Sequence, residues 1–266
     1  MSPLRVWTAA LVVGALLVVP ASAARAANDE PHRTVAATAV PQLAIRSVAR
    51  LTALGDSVPS GGACNCTPFP PRVAGMLAAR AGHGVLTHND AVSGLTTQGL
   101  LNQLLHNAAV RRDVAGSSVV LVTIGANDIS SPKCNLVVAC YAPIVRRVGA
   151  LLDAIVHQIK VCRSATPTAI IITGYWNVWR DGAVARARGA AYVAASVALT
   201  KAVNAQILAA ARRDGATYTD LWVPFRGTTN LDDTALLAAD GDHPNARGHV
   251  VIAVAISQAL ARRIPA

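Results

Sequence analysis

Val119-Val120-Leu121-Val122-Thr123-Ile124-Gly125-Ala126-Asn127-Asp128 is an apolar, β-branched run that ends abruptly in a glycine and two short polar residues. It shows no alternation of polar and apolar positions, so a strand formed here has both faces covered, as in a parallel sheet held between helices. Residues 169–173 repeat the pattern, and shorter runs occupy residues 50–54, 85–89 and 217–220. Longer stretches at residues 71–81, 96–107, 142–161, 184–213 and 245–262, several of them rich in alanine, read as helices, with Pro167 and Gly215 placed where helices stop. This alternation predicts a three-layer α/β/α sandwich with a five-stranded parallel sheet and right-handed crossovers.

In such a sheet the carboxyl ends of all strands point to one edge, so short polar segments far apart in sequence converge there. Four segments follow predicted strands: Gly55-Asp56-Ser57, Ser93-Gly94, Gly125-Ala126-Asn127-Asp128 and Asp240-Gly241-Asp242-His243-Pro244. Taken alone, Ser57 reads as a helix N-cap or turn serine, Asn127-Asp128 as a turn, and His243 as a surface histidine before a proline. Their joint occurrence at successive strand ends points to chemistry. Ester hydrolysis needs a nucleophile, a base, a group that orients the base, and donors for the developing oxyanion. Ser57 is the candidate nucleophile, His243 the base and Asp240 its orienting carboxylate. The backbone N–H groups of Ser57 and Gly94 and the Asn127 side-chain amide are the candidate oxyanion donors.

These segments resemble the blocks of the SGNH (GDSL) hydrolase family, named for its serine, glycine, asparagine and histidine, here matched by Ser57, Gly94, Asn127 and His243. The resemblance extends from Leu51 to about His249 and takes in Asp240, three residues before the histidine. It implies a flavodoxin-like sheet, acyl-ester substrates and no cofactor. Val58 replaces the leucine or tyrosine that often follows the serine, and Cys64-Asn65-Cys66 extends the first loop. Alanine and arginine bias together with an export segment is similar to actinobacterial secreted lipases and esterases of this family.

Residues 1–26 read as a signal peptide: Arg5 precedes an apolar run ending near Val19, and small-residue triplets follow Pro20. The run is shorter than the roughly 20 residues of a membrane anchor. Residues 27–47 lack apolar periodicity and are expected to be a flexible leader, with the hydrolase domain over residues 48–266, so the protein is expected to be secreted. Removing Arg5 and Arg25 lowers the net charge from +10 to +8. The arginines are scattered, which argues against nucleic acid and leaves peripheral contact with anionic lipid or cell wall open. A monomer is expected.

Five cysteines occur, Cys64, Cys66, Cys134, Cys140 and Cys162, and an odd count leaves one unpaired in a monomer. Cys134 and Cys140 bracket a short loop and are the favoured bridge. Cys64 and Cys66 either close a small ring or find distant partners, and the spacings do not suit a zinc finger. Asp240, Asp242, His243 and His249 admit a metal reading, which is set aside because His243 is needed as a base; no metal is expected. Tyr175, Trp176 and Trp179 follow the fourth strand and either wall an acyl or sugar site or pack in a loop; Trp222 and Phe225 carry the same ambiguity. The function expected is a lipase or carboxylesterase. An acetyl esterase acting on a polysaccharide is the enzymatic alternative, and a non-catalytic envelope-binding module is the alternative from another class.

Overall fold

The computed structural model describes residues 43–130, 133–163 and 167–265. The signal segment and the leader up to residue 42 lie outside them. The apolar runs form five parallel strands, β1 (Arg50–Gly55), β2 (Leu86–Asn89), β3 (Val119–Thr123), β4 (Ala169–Thr173) and β5 (Thr217–Thr219), in the order β2-β1-β3-β4-β5. Leu51 pairs with Val119 and Val119 with Ala169, so β3 sits between two partners and is buried at every position. That is why its sequence shows no alternation. At the edge, β2 is only partly covered and alternates more freely.

Nine helices are seen among the described residues: α1 (Ser57–Ser60), α2 (Phe69–Ala81), α3 (Thr97–His106), α4 (Ala108–Gly116), α5 (Ala142–Cys162), α6 (Gly182–Arg186), α7 (Ala190–Arg213), α8 (Trp222–Arg226) and α9 (Ala246–Arg263). α2 and α9 pack together on one face of the sheet, while α3, α4, α5 and α7 form the layer reached by the rightward crossovers. α5 shows how sequence selects this arrangement. Val145, Val148, Leu152, Ile155, Val156 and Ile159 recur at three- and four-residue spacing and are all buried. Each such side chain contributes roughly 1.5–3 kcal/mol relative to exposure.

The architecture follows the sequence reading, and the differences have local causes. The helix expected at residues 96–107 is followed by α4, because Asn107 ends α3 and caps the next helix by accepting from the N–H groups of Ala109 and Val110. The single helix expected at residues 184–213 is broken by Gly189, whose φ of +91° no helix accommodates. α8 begins where the Asp220 carboxylate accepts from the N–H groups of Trp222 and Val223. The described body also begins before Val48. Ile45, in a short 3-10 turn, is 5% exposed, and Leu43 packs against the core, so residues 43–47 belong to the folded domain and not to a leader.

Cys134 and Cys140 are bridged, as are Cys64 and Cys66, the latter closing the small ring; Cys162 is free and half-buried.

Candidate active site

The strand order reverses direction between β1 and β3, and at such a switch point the crossovers leave in opposite directions and open a crevice at the carboxyl ends. Ser57 leaves β1 and Asn127 leaves β3, so both stand at that crevice. The turn from β1 into α1 is tight. Gly55 has φ +140°, and a Cβ there would collide with the Thr123 carbonyl oxygen, so only glycine lets β1 lie this close to β3. The Asp56 carboxylate then accepts from the Val58 N–H at 3.0 Å and starts α1. Ser57 is the first residue of that helix, and a first-turn N–H has no partner within its own helix.

His243 arrives from a loop pinned at both ends. Leu237 and Pro244 form an isolated bridge, Ala238 N–H donates to the His243 carbonyl at 2.8 Å, and the Asn245 amide donates to the carbonyls of Ala235 and Leu237 while capping α9. The result is a continuous relay. His243 Nδ1 lies 2.7 Å from Asp240 Oδ2, and His243 Nε2 lies 2.8 Å from Ser57 Oγ. A carboxylate only accepts, so Nδ1 carries the proton and Nε2 presents its lone pair to the serine hydroxyl. The other Asp240 oxygen accepts from the Asp242 and His243 N–H groups. Burial works to raise the Asp240 carboxyl, but the bonds from the Asp242 N–H and from His243 outweigh it and hold the carboxyl below its ordinary value. It remains an anion behind the imidazole.

Asn127 lines the same small recess as Ser57 and His243, a space of about 40 Å³ also bounded by Asp56 and Trp176. One Asn127 amide hydrogen goes to the Leu95 carbonyl at 2.9 Å, which leaves the second for a ligand. Its neighbour Asp128 accepts from the Thr97 N–H and hydroxyl, stapling the segment after β2 to the segment after β3. Gly94 sits on that stapled segment with φ +80°, exposed and with open space around it, but it is not among the residues that line the recess.

Two sets of contacts near the site are not foreseen in the sequence, that of Tyr175 with Asp56 and that of Arg226 with Asp181. Tyr175 lines the recess, as its place after β4 suggests, but it is almost wholly buried and its hydroxyl donates to Asp56. Burial pushes the Asp56 carboxyl up to about 6, with the Tyr175 and Val58 hydrogen bonds and the charge on His243 pulling the other way. Beyond the histidine loop, Arg226 and Asp181 form a buried ion pair, and the Asp181 N–H donates to the Gly241 carbonyl at 2.5 Å. These partners lie far apart in sequence, so the contacts are visible only once the chain is folded.

The aromatic residues divide. Trp176 is 1% exposed and stacks on Phe225 at 4.2 Å, so it offers no open stacking face and only closes the recess. Phe225 is core, whereas Trp222 is partly exposed beneath Lys201 and Arg226. Trp179 lies between Tyr141 and Tyr192, donates to the Ile129 carbonyl at 2.8 Å, and lines an open cleft of about 500 Å³. Arg180, Arg188, Asn127 and Asp242 line it too, and the Cys134–Cys140 loop supplies Asn135 and Leu136. Asn127 and Asp242 border both spaces, so the cleft leads to the recess. Asp240, Asp242, His243 and His249 form no metal-sized cluster among the described residues.

The sequence matches the family model described as GDSL-like Lipase/Acylhydrolase family over residues 53–251. No curated protein sequence matches. Among solved structures, the chain is similar to a lipase, Lip_vut3, from a goat rumen metagenome (16% identity, 79% of this chain and 97% of that chain covered, TM-score 0.62). It is also similar to Axe2, an acetylxylan esterase from Geobacillus stearothermophilus (18%, 80% and 94%, 0.57). A lipase/acylhydrolase from Enterococcus faecalis shows the same fold (18%, 81% and 96%, 0.54).

Proposed function

Because the chain belongs to the GDSL-like lipase/acylhydrolase family and is therefore a carboxylic ester hydrolase, we propose that Ser57 is its nucleophile, His243 the general base and Asp240 the carboxylate that orients it. The observation that carries this assignment is the unbroken relay from Asp240 through His243 to Ser57, at 2.7 and 2.8 Å. As Ser57 Oγ attacks the ester carbonyl, its proton passes to His243 Nε2, and Asp240 stabilises the imidazolium that forms. The oxyanion is met by the Ser57 N–H and the free Asn127 amide hydrogen, with the Gly94 N–H completing the set when substrate is bound. His243 returns the proton to the departing alcohol, leaving an acyl-serine, and a water molecule activated by the same base releases the acid.

The substrate is a small-molecule or lipid acyl ester, and the two spaces divide its parts. The recess beside Ser57 suits a short acyl group, and the cleft past Asn127 and Asp242 takes the larger alcohol portion. The protein acts as an exported lipase or carboxylesterase; two disulfides among the described residues support an oxidising compartment. Trp179 and Tyr192 in the open cleft favour a second reading, removal of acetyl groups from a polysaccharide, in which a sugar ring rests on the aromatic wall.

Hydrolysis of p-nitrophenyl esters of increasing length by wild type and Ser57→Ala tests the assignment. Turnover falls by at least about 10³-fold in the variant, and rates fall as the acyl chain outgrows the recess. Comparable rates in the two proteins refute the role of Ser57. A parallel panel of acetylated glycans and long-chain lipid esters separates the two substrate readings.

A further inference from the structure

The loop after α1 carries Cys64 and Cys66, and the first turn of α9 carries His249. Although 183 positions separate Cys66 from His249, their ligand atoms and that of Cys64 lie within 4.8 Å of one another. His249 is wholly buried, its ring roughly parallel to Phe69 at 6.3 Å, and neither ring nitrogen has a hydrogen-bond partner. Leaving a buried polar group unpaired is destabilising. A buried imidazole without a hydrogen-bond partner, within 4.8 Å of two sulfurs, is a set of donors suited to a metal ion.

We propose that Cys64, Cys66 and His249 form a metal site that takes one zinc-class ion when the Cys64–Cys66 bridge is reduced. Two thiolates and one imidazole are the donors this class of ion prefers, and a tetrahedral ion keeps its fourth position for water. The change of state balances with a dithiol as reductant. The S–S bond breaks, two electrons and two protons pass from the dithiol to Cys64 and Cys66, and the dithiol closes to its own disulfide. Metal binding then displaces the two thiol protons, while His249 contributes a lone pair and loses none. The bridge is accessible, since both cysteines are only half-buried. It also spans the shortest of loops, so it removes little entropy from the unfolded chain and adds little to stability.

The site touches the reaction centre. Gly62, two residues before Cys64, donates its N–H to the Ser57 carbonyl at 2.7 Å, and a Cβ there would stand 2.9 Å from Ser57 Cβ and 3.3 Å from His243 Cδ2. The segment that would rearrange around an ion is the one packed against the serine, so occupancy also alters the esterase rate.

The test uses the full chain, reduced anaerobically with dithiothreitol, freed of reductant and titrated with Co²⁺ and then Zn²⁺. One equivalent binds with a thiolate-to-cobalt charge-transfer band that Zn²⁺ bleaches, and the unreduced chain takes up none. The Cys64→Ser/Cys66→Ser variant loses the band. Loss of an outer partner of a ligand already costs about 10- to 100-fold in affinity, so His249→Gln weakens binding at least that much. X-ray absorption of the zinc-loaded wild type counts two sulfurs and one imidazole, which decides the matter even if His249→Gln fails to fold. No band after reduction, a band that survives in the double-serine variant, uptake by the oxidised chain, or a zinc shell without imidazole each overturns the site.

Discussion

Asp56→Asn replaces a carboxyl that is 1% exposed, directly beneath the serine, with an amide of the same shape. The amide oxygen still accepts from the Val58 N–H, and its NH₂ can donate to the Tyr175 oxygen, so the packing survives while the ionisation is lost. In the folded protein this carboxyl is pushed up from 3.8 to about 6, chiefly by burial. Below the lower value it is protonated in both folded and unfolded chains and affects neither. Between the two values the native state holds a proton that the unfolded state has released, so native stability falls as pH rises. Above about 6 the carboxylate is charged in both states and the full cost of burying it is felt. At about 1.4 kcal/mol per pH unit, that interval amounts to about 3 kcal/mol. The variant has no such slope. Relative to wild type, therefore, Asp56→Asn gains about 3 kcal/mol between pH 4 and pH 7, whatever its stability at the acid end. For a domain of this size that is a relative rise in Tm of about 6–12 °C. Urea unfolding of both proteins at closely spaced pH values measures the difference directly, with all other titrating groups cancelling between them. A difference that stays constant across the interval refutes a raised Asp56.

Three further outcomes follow from the site. Asp240→Asn keeps acceptors for the Asp242 and His243 N–H groups but turns an amide NH₂ toward His243 Nδ1, favouring the tautomer that donates to Ser57; kcat on a short p-nitrophenyl ester falls by about 10⁴-fold with the fold unchanged by circular dichroism. Asn127→Ala removes the proposed oxyanion donor and the bond to Leu95, lowering kcat by about 10²–10³-fold while KM moves little. Gly55→Ala forces a Cβ onto the Thr123 carbonyl at a φ that alanine avoids, so the variant loses several kcal/mol, seen as a collapse in Tm or in soluble yield.

The fold could be read from the sequence because burial on two faces leaves an unmistakable trace: β3 and β4 are apolar almost without interruption, and two such runs among five short strand segments separated by long helical stretches admit few topologies. What escaped the reading was set by single side chains acting at short range. Asn107 both ends α3 and starts α4, and Gly189 divides a helix whose alanines read as continuous; a helical period is insensitive to either. Leu43 and Ile45 fall in the expected leader because so short a segment sets no period, although Ile45 is buried in the core and Leu43 packs against it.

The relay itself was legible for a different reason. Ser57, Asn127, Asp240 and His243 each stand just past a strand or on a pinned loop, so knowing the sheet was enough to know that they share an edge. The groups that support them have no such address. Tyr175 reaches Asp56 across 119 positions, and Asp128 holds Thr97 across 31, through contacts that depend on which way a side chain turns beneath the edge. Trp176 and Trp179 make the point within four residues: one is sealed against Phe225 and the other lines the cleft, though both follow β4. Topology therefore places the residues of the relay, while packing decides which neighbours surround them and which line the cleft. Substitutions at Asp56 and Asn127 probe these two levels separately, the first through stability at constant geometry and the second through kcat.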